Sequence, residues 1–110
     1  MKVLAVAGTR PEAIKMAPVI LELLKRKETF EVEVCLTAQH RELLDQVVRV
    51  FGLPVHYDLD IMTPDQSVFD ITARIIAGMR GILEASAPQV MLVHGDTTTS
   101  FAAALCGYYQ

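Results

Sequence analysis

The chain begins with an unbroken apolar run, Val3-Leu4-Ala5-Val6-Ala7, that stops at Gly8. A short continuous run ahead of helix start signals predicts a strand buried on both faces of a parallel sheet. The period then changes. Ile14, Ala17, Leu21 and Leu24 recur at helical spacing and predict a helix over 11–26, closed by Lys25-Arg26-Lys27, cations at the end the macrodipole favours. Pro18 inside that span predicts a kink or break. Residues 30–38, FEVEVCLTA, alternate and then turn apolar, which predicts a second strand. Leu43, Leu44, Val47, Val48 and Phe51 form one helical stripe, and Gly52 stands where a glycine closes a helix. A loop over 53–66 contains a short strand at 57–59. Ser67 to Ser86 reads as a long helix with Val68, Ile71, Ile75, Met79 and Ile82 on its core face, weakened locally by Gly78 and Gly81. VMLVHG, 90–95, is the next strand, and Phe101, Leu105 and Tyr108 are in phase on a last helix.

The order β-α-β-α-(β)-α-β-α predicts an α/β, doubly wound parallel sheet, with strands near 2–8, 31–37 and 90–95 adjacent and the first one central. The 110 residues suffice for one compact domain, and 52% are hydrophobic, so a core is available. The chain stops at Gln110 in or just after a helix with no strand to receive it, so it reads as a piece of something longer. A net charge of −3 argues against a nucleic-acid face. No apolar stretch approaches the length of a membrane span, and the N-terminal run is too short for a signal peptide. Cys35 and Cys106 lie in apolar runs without metal-ligand spacing, which reads as buried reduced thiols in a cytosolic protein.

Ligands of open parallel sheets bind outside the carboxyl ends of the strands. Three polar turns fall there: GTRPE at 8–12, TAQHRE at 37–42 and HGDTTTS at 94–100. In the first, either Arg10 is the N-cap ahead of Pro11, or Thr9 caps and Glu12 completes a T-x-x-E capping box. Both place Arg10 beside the positive end of a helix, where an anion is the natural partner, and Lys15 follows as a second cation. A solvated surface Arg and Lys fit the spacing equally well. The turn is neither G-x-G-x-x-G nor a Walker loop, which argues against a standard dinucleotide or P-loop site. Asp96 is either a helix cap, in competition with Thr97, or a carboxylate at the usual place for an acid or base. His40 and His94 are equally ambiguous. Gln39, His40 and Arg41 are caps or the rim of the same cleft. His56 reads as merely exposed, and Asp58, Asp60 and Asp65 as turn formers without metal-ligand spacing.

Four blocks in order, GTRPEAIKMAP, TAQHRELLDQV, YDLDIMTPDQ and LVHGDTTTSFAAAL, resemble the bacterial non-hydrolysing UDP-N-acetylglucosamine 2-epimerases along essentially the whole chain. The resemblance implies a Rossmann-like fold, with residues 1–110 as the N-terminal part of domain 1 of a two-domain GT-B-type enzyme. It implies interconversion of UDP-N-acetylglucosamine and UDP-N-acetylmannosamine in the cytoplasm, for cell-envelope polysaccharide synthesis. UDP is eliminated to give a 2-acetamidoglucal and then added back, with no nicotinamide or metal cofactor. By the same match Arg10 and Lys15 are UDP-side contacts and Asp96 is the active-site carboxylate in this segment; the other carboxylates and the histidine lie beyond residue 110. Gln39 fits a segment that in some members contacts a second, activating UDP-sugar, whereas Glu42 and Asp65 stand where some members have Gln and Arg. The resemblance implies a homodimeric parent, and the isolated piece is expected to be inactive and to self-associate. A sugar-nucleotide transferase or binding module of the same architecture is the alternative, which GTRPEAIKMAP together with HGDTTT disfavours.

Overall fold

The apolar run at the start of the chain becomes the strand around which the rest is laid. The computed structural model describes residues 1–39 and 41–110. Strands and helices alternate: β1 (Lys2–Ala7), α1 (Arg10–Lys25), β2 (Glu31–Leu36), α2 (Arg41–Phe51), β3 (Tyr57–Asp58), α3 (Val68–Ser86), β4 (Val90–Leu92) and α4 (Thr98–Tyr109). The sheet runs β3-β2-β1-β4, every neighbouring pair parallel. β1 is central, as its unbroken hydrophobicity predicts: Val3 to Ala7 are all buried.

Alternation along β1 sorts the helices into two layers. Ala5 and Ala7 face Ala13, Met16, Ala17 and Ile20 of α1 and Leu44 and Val47 of α2. Leu4 and Val6 face the opposite layer, with Ile71, Ile75 and Met79 of α3 and Ala102, Ala103 and Cys106 of α4. Each large aliphatic side chain so buried contributes roughly 1.5–3 kcal/mol.

The structure corrects several helical faces. In α1 the buried stripe is Ala13, Met16, Ala17 and Ile20, one residue out of phase with the predicted one; Ile14 is 40% exposed, and Leu21 and Leu24 are only half-buried. Pro18 neither breaks nor ends α1. It lies on the exposed face with Ile14, whose carbonyl loses its helical amide donor on the side open to solvent. Leu43 and Phe51 of α2 and Val68 of α3 are exposed because they lie beside or beyond the part of each helix that covers the sheet. Gly52, at φ 64, closes α2 with the Gly52 and Leu53 amides donating to the Arg49 and Val48 carbonyls. Gly78 has a packing reason: a Cβ there would meet Leu59 Cδ2 at 2.6 Å. β2 and β4 end earlier than predicted. Ala38 turns the chain at φ 59, and Val93 to Gly95 have already left the sheet.

Candidate functional site

The chain passes from β1 outward to β2 and β3, then returns to the other side of β1 as β4. At such a reversal the following helices leave on opposite faces, and a crevice opens at the carboxyl ends of the two strands. Gly8-Thr9-Arg10 form one side of it and His94-Gly95-Asp96-Thr97 the other.

The first turn resolves in favour of the Thr9 cap. Thr9 is extended (φ −128, ψ 164), Arg10 is the first helical residue and Pro11 the second. Glu12, 3% exposed, turns back into the turn. Its Oε2 accepts from the Gly8 amide at 2.9 Å, the Thr9 amide at 2.7 Å and the Thr9 hydroxyl at 2.9 Å. Its Oε1 accepts from the hydroxyl of Thr97, and the Ser100 hydroxyl lies 3.2 Å away. In a phosphate-binding turn the strand-end and helix-start amides face the ligand. Here a carboxylate from the same chain already holds them. The turn therefore departs physically, and not only in its letters, from the dinucleotide fingerprint.

Beside it runs a chain of hydroxyls. Thr99 Oγ1 donates to Gln39 Oε1 at 2.9 Å, so its one proton is spent and Thr37 Oγ1 is the donor in their 2.8 Å bond. Thr37 and Thr99 are fully buried against Gly8. The carboxyl ends of β1 and β2 and the start of α4 are thereby joined at one point.

Arg10 is exposed at the rim, where it lines a shallow 150 Å³ hollow with Ile14, Gln46, Val47, Val50 and Phe51. It makes no ion pair or side-chain hydrogen bond among the described residues. Lys15 is also exposed, but five helical residues carry it about 140° around the axis and about 7.5 Å along it, so it is not beside Arg10. Asp96 follows Gly95, which turns at φ 88. The cap of α4 is Thr97, whose hydroxyl accepts from the Ser100 amide at 3.3 Å. Asp96 is thus relieved of the capping role; its carboxylate is exposed and has no partner among the described residues. The structure brings Arg10 and Asp96 to the same edge of the sheet and leaves Lys15 further down α1. The His94 ring is exposed, while its carbonyl accepts from the Ser100 hydroxyl. His40 lies outside the described residues.

Other candidates have structural partners. Arg41 is held by both oxygens of Asp58, at 2.6 and 2.9 Å, and by Asp60 and Asp45, which raise its already high pKa. The guanidinium is the cation these aspartates hold. His56 is exposed but not idle: its Nδ1 accepts from the Val34 amide at 3.0 Å, and its own amide donates to the Val34 carbonyl at 2.9 Å. Burial, with Asp58 adding to it, pushes the Cys35 thiol up to about 12, which keeps it unreactive. No helix is long and apolar enough to cross a membrane among the described residues. The residue that sequence reasoning undervalued is Glu12. The T-x-x-E spacing marks its bond to Thr9, but nothing local marks Thr97 and Ser100 as its other partners.

A family model described as UDP-N-acetylglucosamine 2-epimerase matches residues 22–110. The UDP-N-acetylglucosamine 2-epimerase of Neisseria meningitidis serogroup A is 59% identical over all 110 residues, which span 29% of its length. The crystal structure of a Neisseria meningitidis UDP-GlcNAc 2-epimerase bound to UDP-GlcNAc superposes with a TM-score of 0.92 at 59% identity, over 100% of this chain and 30% of that one. The Methanocaldococcus jannaschii UDP-GlcNAc 2-epimerase, in complex with UDP-GlcNAc and UDP, superposes with a TM-score of 0.88 at 29% identity, over 99% and 30%.

Proposed function

The chain belongs to the UDP-N-acetylglucosamine 2-epimerase family, and from that premise we propose that it forms the N-terminal part of the first of two Rossmann-like domains in an enzyme that inverts C2 of UDP-N-acetylglucosamine. The observation that carries this reading is that Arg10 and Asp96 lie at the same edge of the sheet, after the adjacent parallel strands β1 and β4. Both stand at the strand-order reversal with no partner among the described residues, while their neighbours Thr9, Glu12, Thr97 and Ser100 are fully engaged with one another.

The chemistry divides between them. A base removes the C2 proton, the C1–O bond breaks, and the bonding pair leaves with UDP, giving the 2-acetamidoglucal. UDP then adds back at C1 while a proton arrives on the opposite face of C2. Charge grows on the diphosphate as C1–O breaks, and the guanidinium of Arg10 stabilises it, with Lys15 as a second cation further along α1. Asp96 acts at the sugar, as acid or base or by positioning. No step asks for hydride transfer or a metal. Gln39, whose carbonyl oxygen is occupied by Thr99, keeps its amide nitrogen for a regulatory UDP-sugar. The parent is a cytoplasmic homodimer in this reading, which the two buried free cysteines suit.

The test separates binding from turnover in the full-length enzyme. Arg10→Ala is expected to weaken UDP-sugar binding about tenfold or more, the effect of losing a charged hydrogen-bond donor. Asp96→Asn is expected to leave binding nearly intact and lower kcat about 10²- to 10⁴-fold. Wild-type binding and rates for both variants would refute the assignment.

A further inference from the structure

We propose that Glu12 is a positioning residue: its buried carboxylate ties the β1–α1 turn to the β4–α4 turn and so fixes Arg10 relative to Asp96. The inference rests on the function proposed above and extends it to a residue that meets neither diphosphate nor sugar. The two turns come from opposite layers of the sheet and are separated by more than 80 residues of chain. Oε2 holds Gly8 and Thr9, the residues leading into Arg10, and Oε1 faces Thr97 and Ser100, the residues following Asp96. The Gly8 and Thr9 amides can only donate, and they do so to Oε2, while the Thr97 hydroxyl donates to Oε1, so in this bonding pattern the group between the turns accepts on both oxygens. A carboxylate does so. A glutamine of the same shape keeps one acceptor for the amides but turns its NH₂ toward Thr97, whose hydroxyl proton then loses its acceptor, and an aspartate is one methylene too short to span both. The clamp also keeps the strand-end amides occupied, so the diphosphate meets the Arg10 side chain rather than the backbone of the turn.

The test is a mutant cycle in the full-length enzyme with UDP-N-acetylglucosamine, alongside amide exchange at Gly8 and Thr9 followed by NMR. Glu12→Gln is expected to lower kcat about 10- to 100-fold, the scale of a misplaced reacting group, with KM changing less. In an Asp96→Asn background the same substitution should add little, because the alignment Glu12 maintains is with the carboxylate that background lacks. A purely structural lesion would lower activity by the same factor in both backgrounds. If Glu12→Gln fails to fold, Ser100→Ala, which removes one hydroxyl facing Oε1, enters the same cycle. An unchanged kcat, or equal losses in both backgrounds, overturns the proposal. A wild-type enzyme inactive on the substrate overturns the functional reading instead; Gly8 and Thr9 amides that exchange as fast as open-loop amides then overturn the clamp as well, and slow exchange upholds it.

Discussion

Gly8 and Thr99 are packed so closely that a Cβ on Gly8 would fall 2.1 Å from the Thr99 hydroxyl oxygen, and 2.2 Å from that of Thr37. Glycine is required here for proximity, because the two threonines donate in sequence toward Gln39 across the end of β1. Gly8→Ala must push the hydroxyls apart and is expected to cost about 1–3 kcal/mol, the usual penalty of an overfilled core. Urea unfolding checks it; a midpoint equal to the parent's would show that the threonines move aside freely.

Glu33 makes stability depend on pH. Burial works against its charge, but hydrogen bonds from Ser86 at 2.6 Å and from Lys2, at 3.2 Å, together with Tyr57, hold its carboxyl below the usual range. Because the folded value is the lower one, the stabilisation is present above the unfolded pKa, about 4.3 for Glu, and is lost as pH falls through the folded value. Glu33→Gln should therefore destabilise by about 1 kcal/mol near neutrality and by less in acid, at a pH below about 4.3. Unfolding curves at the two values decide it, and equal differences at both would contradict the linkage.

Phe101, Tyr108 and Tyr109 are 62%, 84% and 70% exposed on α4, next to β4, the edge strand. An apolar face beside an open sheet edge tends to find a partner. The 110-residue chain by itself is expected to self-associate with rising concentration, and Phe101→Ser with Tyr108→Ser to shift it toward monomer. Sedimentation velocity that shows monomer throughout would remove this expectation.

What the sequence shows depends on how local the cause is. A central parallel strand writes itself as five apolar residues in a row, so β1, its position and the winding order are legible. Helix faces are less so. Alanines carry α1 onto the sheet while the more hydrophobic Ile14 looks outward, and Leu43 and Val68 overhang the layer they belong to. The site is legible as a set of turns but not as a division of labour. Spacing alone leaves Asp96 and Thr97 competing for one cap, and Thr9 and Arg10 for another. Only the bonds of Glu12 across the β1–α1 and β4–α4 turns show the caps going to the threonines, with Arg10 and Asp96 left without a partner among the described residues.

The reading of Asp96 and Arg10 as the working residues of a C2 epimerase meets its sharpest test in heavy water. With the full-length enzyme and UDP-N-acetylglucosamine in D₂O, proton NMR should show the C2 signal disappear as UDP-N-acetylmannosamine accumulates, because the proton that leaves C2 exchanges before its replacement arrives. Asp96→Asn should slow both processes together by about 10²- to 10⁴-fold. In the proposed reading the 110-residue chain alone should do neither, because there it supplies one wall of the cleft and one of the matched carboxylates. An epimer that forms with its C2 proton retained, or an Asp96→Asn enzyme that exchanges at the wild-type rate, would contradict the account.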